Sequence, residues 1–172
     1  MPFGDNQYLT YIFNSPPGKP NMRLTAFSDY TLRVLIYLGV HEERLSTVGE
    51  IAIAYGISEN HLMKVVHYLG QCGYIETTRG KGGGMRLARK PEKINVGEVI
   101  RRTEDSLALV ECFDRKTSDC RIESACVLRG VLGRALDAFF GVLDGHTLAD
   151  LLAPAPKLAR TLMLTDARPR RA

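Results

Sequence analysis

Between Tyr55 and Ser58 the chain has only two residues, Gly56 and Ile57, in which to end one helix and begin the next. Upstream, Thr47-Val48-Gly49-Glu50 is a capping box opening a short helix that carries Ile51, Ala52 and Tyr55 and stops at Gly56. Downstream, Ser58 caps a helix whose inner side holds Leu62, Val65, Val66 and Leu69. So tight a turn between two short helices predicts a helix-turn-helix. An earlier helix precedes it: Phe27, Thr31, Val34, Leu35 and Leu38 recur at helical spacing, with Thr25 as N-cap and Asp29 in the first turn.

Past Gly73 the pattern changes to alternation. Residues 74–79 and 85–88 read as short strands flanking Gly80-Lys81-Gly82-Gly83-Gly84, a hairpin with a basic, glycine-rich tip. Placed directly after a helix-turn-helix, such a hairpin is a wing. Asn95-Val96-Gly97-Glu98 caps a further short helix ending near Arg101 or Arg102. From Cys126, Leu128, Val131, Leu132, Ala135, Phe139, Val142 and Leu143 form a broad apolar stripe on a helix of about five turns. A stripe of that length needs a partner, and a second copy of the chain is the simplest supplier. Thr147 caps a last short helix to Leu152.

The expected fold is therefore mainly α with a small β-hairpin wing, an α+β winged helix-turn-helix with a long C-terminal dimerisation helix. Residues 1–21, broken by Pro16, Pro17, Gly18 and Pro20, are expected to be a flexible extension, with Met22 as the functional start. Residues 22–92 form the DNA-binding domain, 93–154 the cysteine loop and dimerisation helices, and 155–172 a disordered basic tail. No stretch approaches the roughly 20 apolar residues a bilayer crossing needs, and the first 21 residues lack a signal peptide's pattern. A cytoplasmic protein with no membrane partner is the expectation.

Charge is unevenly placed. Lys64, Arg79, Lys81, Arg86, Arg89 and Lys90 face only Glu59 and Glu76 within residues 58–90, whereas residues 91–156 are acidic by three. A basic half followed by an acidic half is the pattern of a nucleic-acid-binding head on a regulatory body. On the third helix Ser58, Glu59, Asn60, His61 and Lys64 point outward near its start. Those types suit base edges and phosphates: Asn pairs adenine, Glu accepts from cytosine, Lys takes guanine or phosphate. In the wing, Arg79 and Lys81 are placed for a minor groove or its flanking phosphates. The glycine-rich tip is no nucleotide loop, since no Lys-Ser or Lys-Thr follows it. Nucleophile-elbow and metalloprotease motifs are absent, so no enzymatic activity is expected.

Cys112, Cys120 and Cys126 are spaced C-x7-C-x5-C, while Cys72 stands apart near the end of the third helix and reads as buried and inert. In a reducing compartment such a group points to metal or redox chemistry rather than disulfides. Zinc wants a fourth Cys or His at short spacing, and His41, His61, His67 and His146 are all remote in sequence. Iron-sulfur ligation tolerates irregular spacing and a non-cysteine ligand, and fits better. The polar neighbours Asp114, Arg115, Lys116, Ser118 and Asp119 argue against three thiols packed merely as apolar groups.

Residues 22–38 (MRLTAFSDYTLRVLIYL), 55–66 (YGISENHLMKVV) and 78–91 (TRGKGGGMRLARKP), with the cysteine loop, together resemble the Rrf2 family of regulators. The resemblance runs to about residue 154. It implies a homodimer on a palindromic double-stranded DNA operator, with one iron-sulfur cluster per subunit held by Cys112, Cys120 and Cys126. A four-iron cluster is the first expectation and a two-iron cluster the alternative. In the family's nitric-oxide-sensing branch, an aspartate in the first helix of the other subunit is the fourth ligand. The matching residue here is Asp29, which also offsets the helix dipole. Arg129 stands where the cluster-biogenesis branch has a histidine. The iron-responsive branch is similar around RTEDSLALVECF and ALDAFFGVLDG but carries Asn at the position of Asp29. The resemblance thus implies a repressor in which nitric oxide nitrosylates the cluster and lowers operator affinity. Its alternative is an iron- or cluster-status regulator, and a distant one a small iron-sulfur electron-transfer protein, for which four thiolates are normal.

Overall fold

The computed structural model describes residues 23–114 and 118–165. The expected N-terminal extension lies outside them. Helix α1 (Ala26–Val40) starts at Thr25, whose extended backbone lets its hydroxyl accept from the Ser28 N–H. Helix α2 (Val48–Tyr55) has both halves of its capping box in place, and Gly56 ends it with φ 64. That left-handed conformation is one a side chain resists. Helix α3 (Glu59–Gln71) follows, with Ser58 at the N-cap position but without a side-chain cap bond. Leu62, Val65 and Leu69 are buried and hold α3 against α1 and α2.

Strands β1 (Ile75–Thr78) and β2 (Gly84–Leu87) pair antiparallel, from Ile75↔Leu87 to Thr78↔Gly84. Ser46, just before α2, exchanges two backbone hydrogen bonds with Met85, of 2.9 and 2.8 Å, and so ties the wing to the helices. Helix α4 (Val96–Thr103) is capped by the Asn95 side chain accepting from the Glu98 N–H. Helices α5 (Val127–Asp144), α6 (Leu148–Leu152) and α7 (Ala155–Thr165) complete the chain. The architecture is mainly helical with one hairpin wing, as expected. No helix among the described residues is long and apolar enough to cross a membrane.

Helix α5 has two apolar sides. Phe140, with Leu136 and Leu143, packs on Val96 and Ile100 of α4. Arg101 fastens the same junction by two bonds to the Asp144 carboxylate, 2.6 and 2.7 Å, and by lying over the Phe140 ring. Those hydrogen bonds hold the Asp144 carboxyl below its ordinary range. On the other side Val127, Leu128, Val131, Phe139 and Val142 remain exposed, Val127 by 81% and Val142 by 63%.

The segment after residue 154 corrects an expectation. In place of a disordered tail from residue 155, Ala155–Thr165 is helical, and residues 166–172 lie outside the described part. Pro154 and Pro156 read as helix breakers, yet both sit at the helix start. There the first N–H groups have no helical partner, so proline costs little. Leu162 then plugs into the main core, which stabilises the helix against fraying.

Three consecutive residues at the end of α4 bind the two helices that frame the DNA-binding head. The Arg102 carbonyl accepts from the Tyr68 hydroxyl of α3 at 2.5 Å. The Thr103 hydroxyl accepts from Ser28 of α1 at 2.7 Å in a buried contact, and itself donates to the Val99 carbonyl at 2.9 Å. The Glu104 carboxylate accepts from the Thr25 N–H and hydroxyl at 2.8 and 3.1 Å.

These contacts set up two stability tests. Gly56→Ala should lower the unfolding free energy by about 1–2 kcal/mol through left-handed backbone strain. No atom lies within 4 Å of a Cβ built there, so an unchanged urea midpoint would mean that the turn relaxes instead. Thr103→Val keeps the shape but leaves the Ser28 hydroxyl without its acceptor, and should cost about 1–3 kcal/mol. Combined with Ser28→Ala, its cost should fall short of the sum of the single costs by roughly 1 kcal/mol in the same unfolding assay. Additive costs would show that the two hydroxyls are not coupled.

Candidate nucleic-acid interface and cysteine loop

Ser58, Glu59, Asn60, His61 and Lys64 are all exposed along the first two turns of α3. Their opposite face, Leu62, Val65, Val66 and Leu69, is what anchors the helix, so the outward residues are fixed in direction by burial on the other side. Met63, 56% exposed, and His67 share that outward surface. Sequence reasoning passed over both. An apolar side chain at an outward helical position was the available signal for Met63.

The wing presents Arg79 and Lys81, both exposed. Gly80 and Gly82 carry positive φ, 99 and 80, and the Gly83 N–H donates to the Gly80 carbonyl at 2.9 Å, so the tip turns back sharply. A Cβ at Gly83 would collide with the Thr78 carbonyl, which explains the glycine run sterically.

Other cations of the basic half are spent inside the protein. Arg86 is ion-paired with Glu76 directly across the hairpin. Arg89 donates to the carbonyls of Cys72 and Gly73, at 2.8 and 2.9 Å, and lies over the Tyr74 ring. The local charge excess therefore overstates the number of cations free to meet phosphates. Lys64, Arg79 and Lys81 have no ion-pair partner among the described residues.

From Asp105 the chain enters the cysteine loop, built of short turns at Glu111–Phe113 and Glu123–Ala125. Few bonds shape it. Ser118 donates to Glu123 at 2.8 Å, the Asp119 N–H to Glu111 at 3.2 Å, and Arg129 to the Cys112 carbonyl at 3.3 Å. Arg129 also pairs with Glu123 at 3.5 Å, so it braces the loop. An open cavity of about 840 Å³ lies beside the loop. Ser106, Phe113, Glu123, Cys126, Arg129 and Leu136 are among the residues that line it.

Cys112 is buried, Cys120 and Cys126 are half-buried, and all are free thiols. Among the described residues, no three Cys, His, Asp or Glu side chains are gathered into a group that would hold a metal ion. In kind, however, three thiols on one loop beside a cavity fit an iron-sulfur cluster, whose iron takes thiolate ligands. Asp29 is half-buried in the first turn of α1, paired with Arg33 at 2.8 Å, one turn further along the same helix. Cys72, expected to be buried, is half-buried at the C-cap of α3, where the helix end leaves one side open.

Residues 24–154 match the Rrf2 family model, described as Iron-dependent Transcriptional regulator. The HTH-type transcriptional regulator NsrR of Shouchella clausii is 52% identical over 132 residues, covering 76% of this chain and 89% of that protein. NsrR of Bacillus subtilis is 49% identical over 146 residues, 84% of this chain and the whole of the relative. Among solved structures, T. potens IscR covers 78% of this chain and 89% of its own at a TM-score of 0.63 and 29% identity. With its winged helix-turn-helix and a family match over most of its length, the chain belongs to the Rrf2 family and is a DNA-binding transcriptional regulator, not an enzyme.

Proposed function

We propose that the protein is a homodimeric repressor in which Cys112, Cys120 and Cys126 of one protomer, with Asp29 of the partner subunit, hold an iron-sulfur cluster. Nitric oxide acting there lowers operator affinity. When bound, the cluster supplies iron with high affinity for nitric oxide. The residues of the chain do the rest. Ser58, Glu59, Asn60, His61 and Lys64 read the major groove, while Arg79 and Lys81 hold phosphates or the minor groove. The exposed stripe of α5 supplies the dimer contact, since a surface holding Leu128, Val131, Phe139 and Val142 is better removed from water. A two-fold dimer then sets the recognition helices about 34 Å apart for a palindromic site.

The observation that carries this reading is the direct attachment of the cysteine loop to the DNA-binding head. Arg102, Thr103 and Glu104 hold α3 and α1, and Ser106, two residues on, lines the cavity beside Cys126. A ligand that fixes the loop therefore biases the head without a long intervening path. Asp29 at the start of α1 would bring the second protomer's head into the same tie. The likeness to NsrR relatives and the aspartate at this position favour nitric oxide as the signal.

Protein purified without oxygen should be coloured, contain iron and shift a palindromic promoter fragment. Nitric oxide should weaken that complex by about 30- to 150-fold, the size of an ordinary allosteric coupling. Equal gel-shift affinities before and after nitric oxide would refute the signal. Cys120→Ala should lose the iron, and full iron content in that variant would overturn the ligand assignment. The family model's description favours a second reading, an iron-status regulator. Adding nitric oxide to the cluster-loaded protein at constant iron separates the two, because only the first reading makes nitric oxide itself the signal that weakens operator binding.

A further inference from the structure

The sides of α3 are set by what flanks them. His61 lies beside the Tyr30 ring of α1, centroids 6.3 Å apart, and Tyr68 meets Phe27 of the same helix at 5.4 Å. On the other side Glu59 reaches α2, its Oε1 3.7 Å from where a Cβ on Gly49 would stand. Between those two edges, and opposite the buried Leu62, Val65 and Leu69, the helix turns Asn60, Met63, Lys64 and His67 outward, all of them exposed. Their spacing is i, i+3, i+4, i+7, so they form one continuous strip. A helix laid in a major groove presents such a strip to the base edges.

One member of the strip differs in chemistry from the rest. Met63 is 56% exposed, and among the described residues the other exposed large apolar side chains lie on the cysteine loop and α5, Ile53 of α2 excepted. The exposed face of α5 is covered in the proposed dimer, whereas Met63 points away from the core on the DNA-binding head. Asn60 suits an adenine edge and Lys64 a guanine edge or a phosphate. The apolar feature that a major groove offers is the C5-methyl group of thymine. Methionine fits that target, since its unbranched, polarizable chain adapts to the surface it meets. Three residues of helix span about 4.5 Å, little more than one base-pair step of about 3.4 Å, so Asn60 and Met63 can address neighbouring pairs.

We propose that Met63 is a specificity-determining residue that packs on the C5-methyl group of a thymine in each operator half-site. The proposal rests on α3 reading the major groove and is independent of the cluster. Burying the two apolar groups against each other removes both from water, so the contact favours thymine at that position over any base without the methyl.

The probe is a duplex selected from a random-sequence pool by the full chain purified without oxygen. Each thymine in it is replaced in turn, at the matching position of both half-sites, by deoxyuridine, which pairs identically and lacks the methyl. At one position the unaltered protein should lose about fourfold in affinity per half-site, the effect of one buried methyl group. Met63→Ala should bind the all-thymine duplex more weakly, be indifferent to deoxyuridine at that position, and keep its affinity for random DNA and its urea midpoint. Met63→Leu, of similar volume, should keep the sensitivity to deoxyuridine. Equal responses of the unaltered protein and Met63→Ala at every position, or a selected site without thymine, would overturn the proposal. If Asn60→Ala and Lys64→Ala also leave affinity for the selected duplex unchanged, groove reading by α3 fails as a whole. If those two variants weaken binding while deoxyuridine shows no coupling to residue 63, the Met63 contact alone falls.

Discussion

A buried hydrogen bond between two hydroxyls, Ser28 of α1 and Thr103 of α4, is the contact on which the rest of the molecule turns. Its neighbours extend it on both sides, through Glu104 to the N-cap Thr25 and through the Arg102 carbonyl to Tyr68 of α3. Buried polar groups tolerate little displacement, because an unmade partner costs about 1–3 kcal/mol. That penalty matches the usual coupling free energy between two sites, also about 1–3 kcal/mol. A small shift of the end of α4 is therefore enough, in energy, to change how α1 and α3 sit. The cysteine loop begins at the next residue.

Rigidity is distributed to suit that arrangement. Caps at Thr25 and Thr47 satisfy otherwise orphaned N–H groups at the starts of α1 and α2, and the wing is tied back through Ser46 and Met85. Glu50 shows how tight this is: partial burial works to raise its pKa, yet bonds from Thr47 and Arg44 win and hold it lowered. Cations of the head divide the same way. Arg89 and Arg86 stiffen the base of the wing, and Lys64, Arg79 and Lys81 are left to face solvent. A head that keeps its shape can transmit a displacement as a whole.

Much of this was legible in the sequence, because it is local. Thr25, Thr47 with Glu50, Gly56 and Asn95 mark helix ends by bonds that span three or four residues, and a short window contains all the physics they need. Tertiary uses of polar residues were not legible. Nothing in the sequence distinguishes Arg89, consumed by two carbonyls and a ring, from Arg79, which is exposed. Thr103 and Ser28 lie 75 residues apart, and their pairing depends on α1 and α4 packing together. Helix α7 was hidden by prolines that break helices elsewhere and are harmless in a first turn. The outward Met63 shows the opposite error, an apolar residue passed over because its neighbours are polar.

The cysteine region differs from the head in kind. Its turns are short, and most of the bonds that shape it among the described residues lie within the region itself. The sensing role proposed above would benefit from a loop held in this way. Ligand binding to a stiff site changes little, whereas binding to a loosely held one has ordering free energy to deliver. In that proposal the path to the DNA-binding surface is short, since Asp105 alone separates the Glu104 anchor from the cavity wall at Ser106. On the far side of the loop, Arg129 and the start of α5 connect the same cavity to the exposed apolar stripe. The loop is thus bounded by the head at one end and by the proposed dimer surface at the other. In the proposed dimer, a change in its shape would alter the position of one relative to the other, which is the geometry that sets half-site spacing.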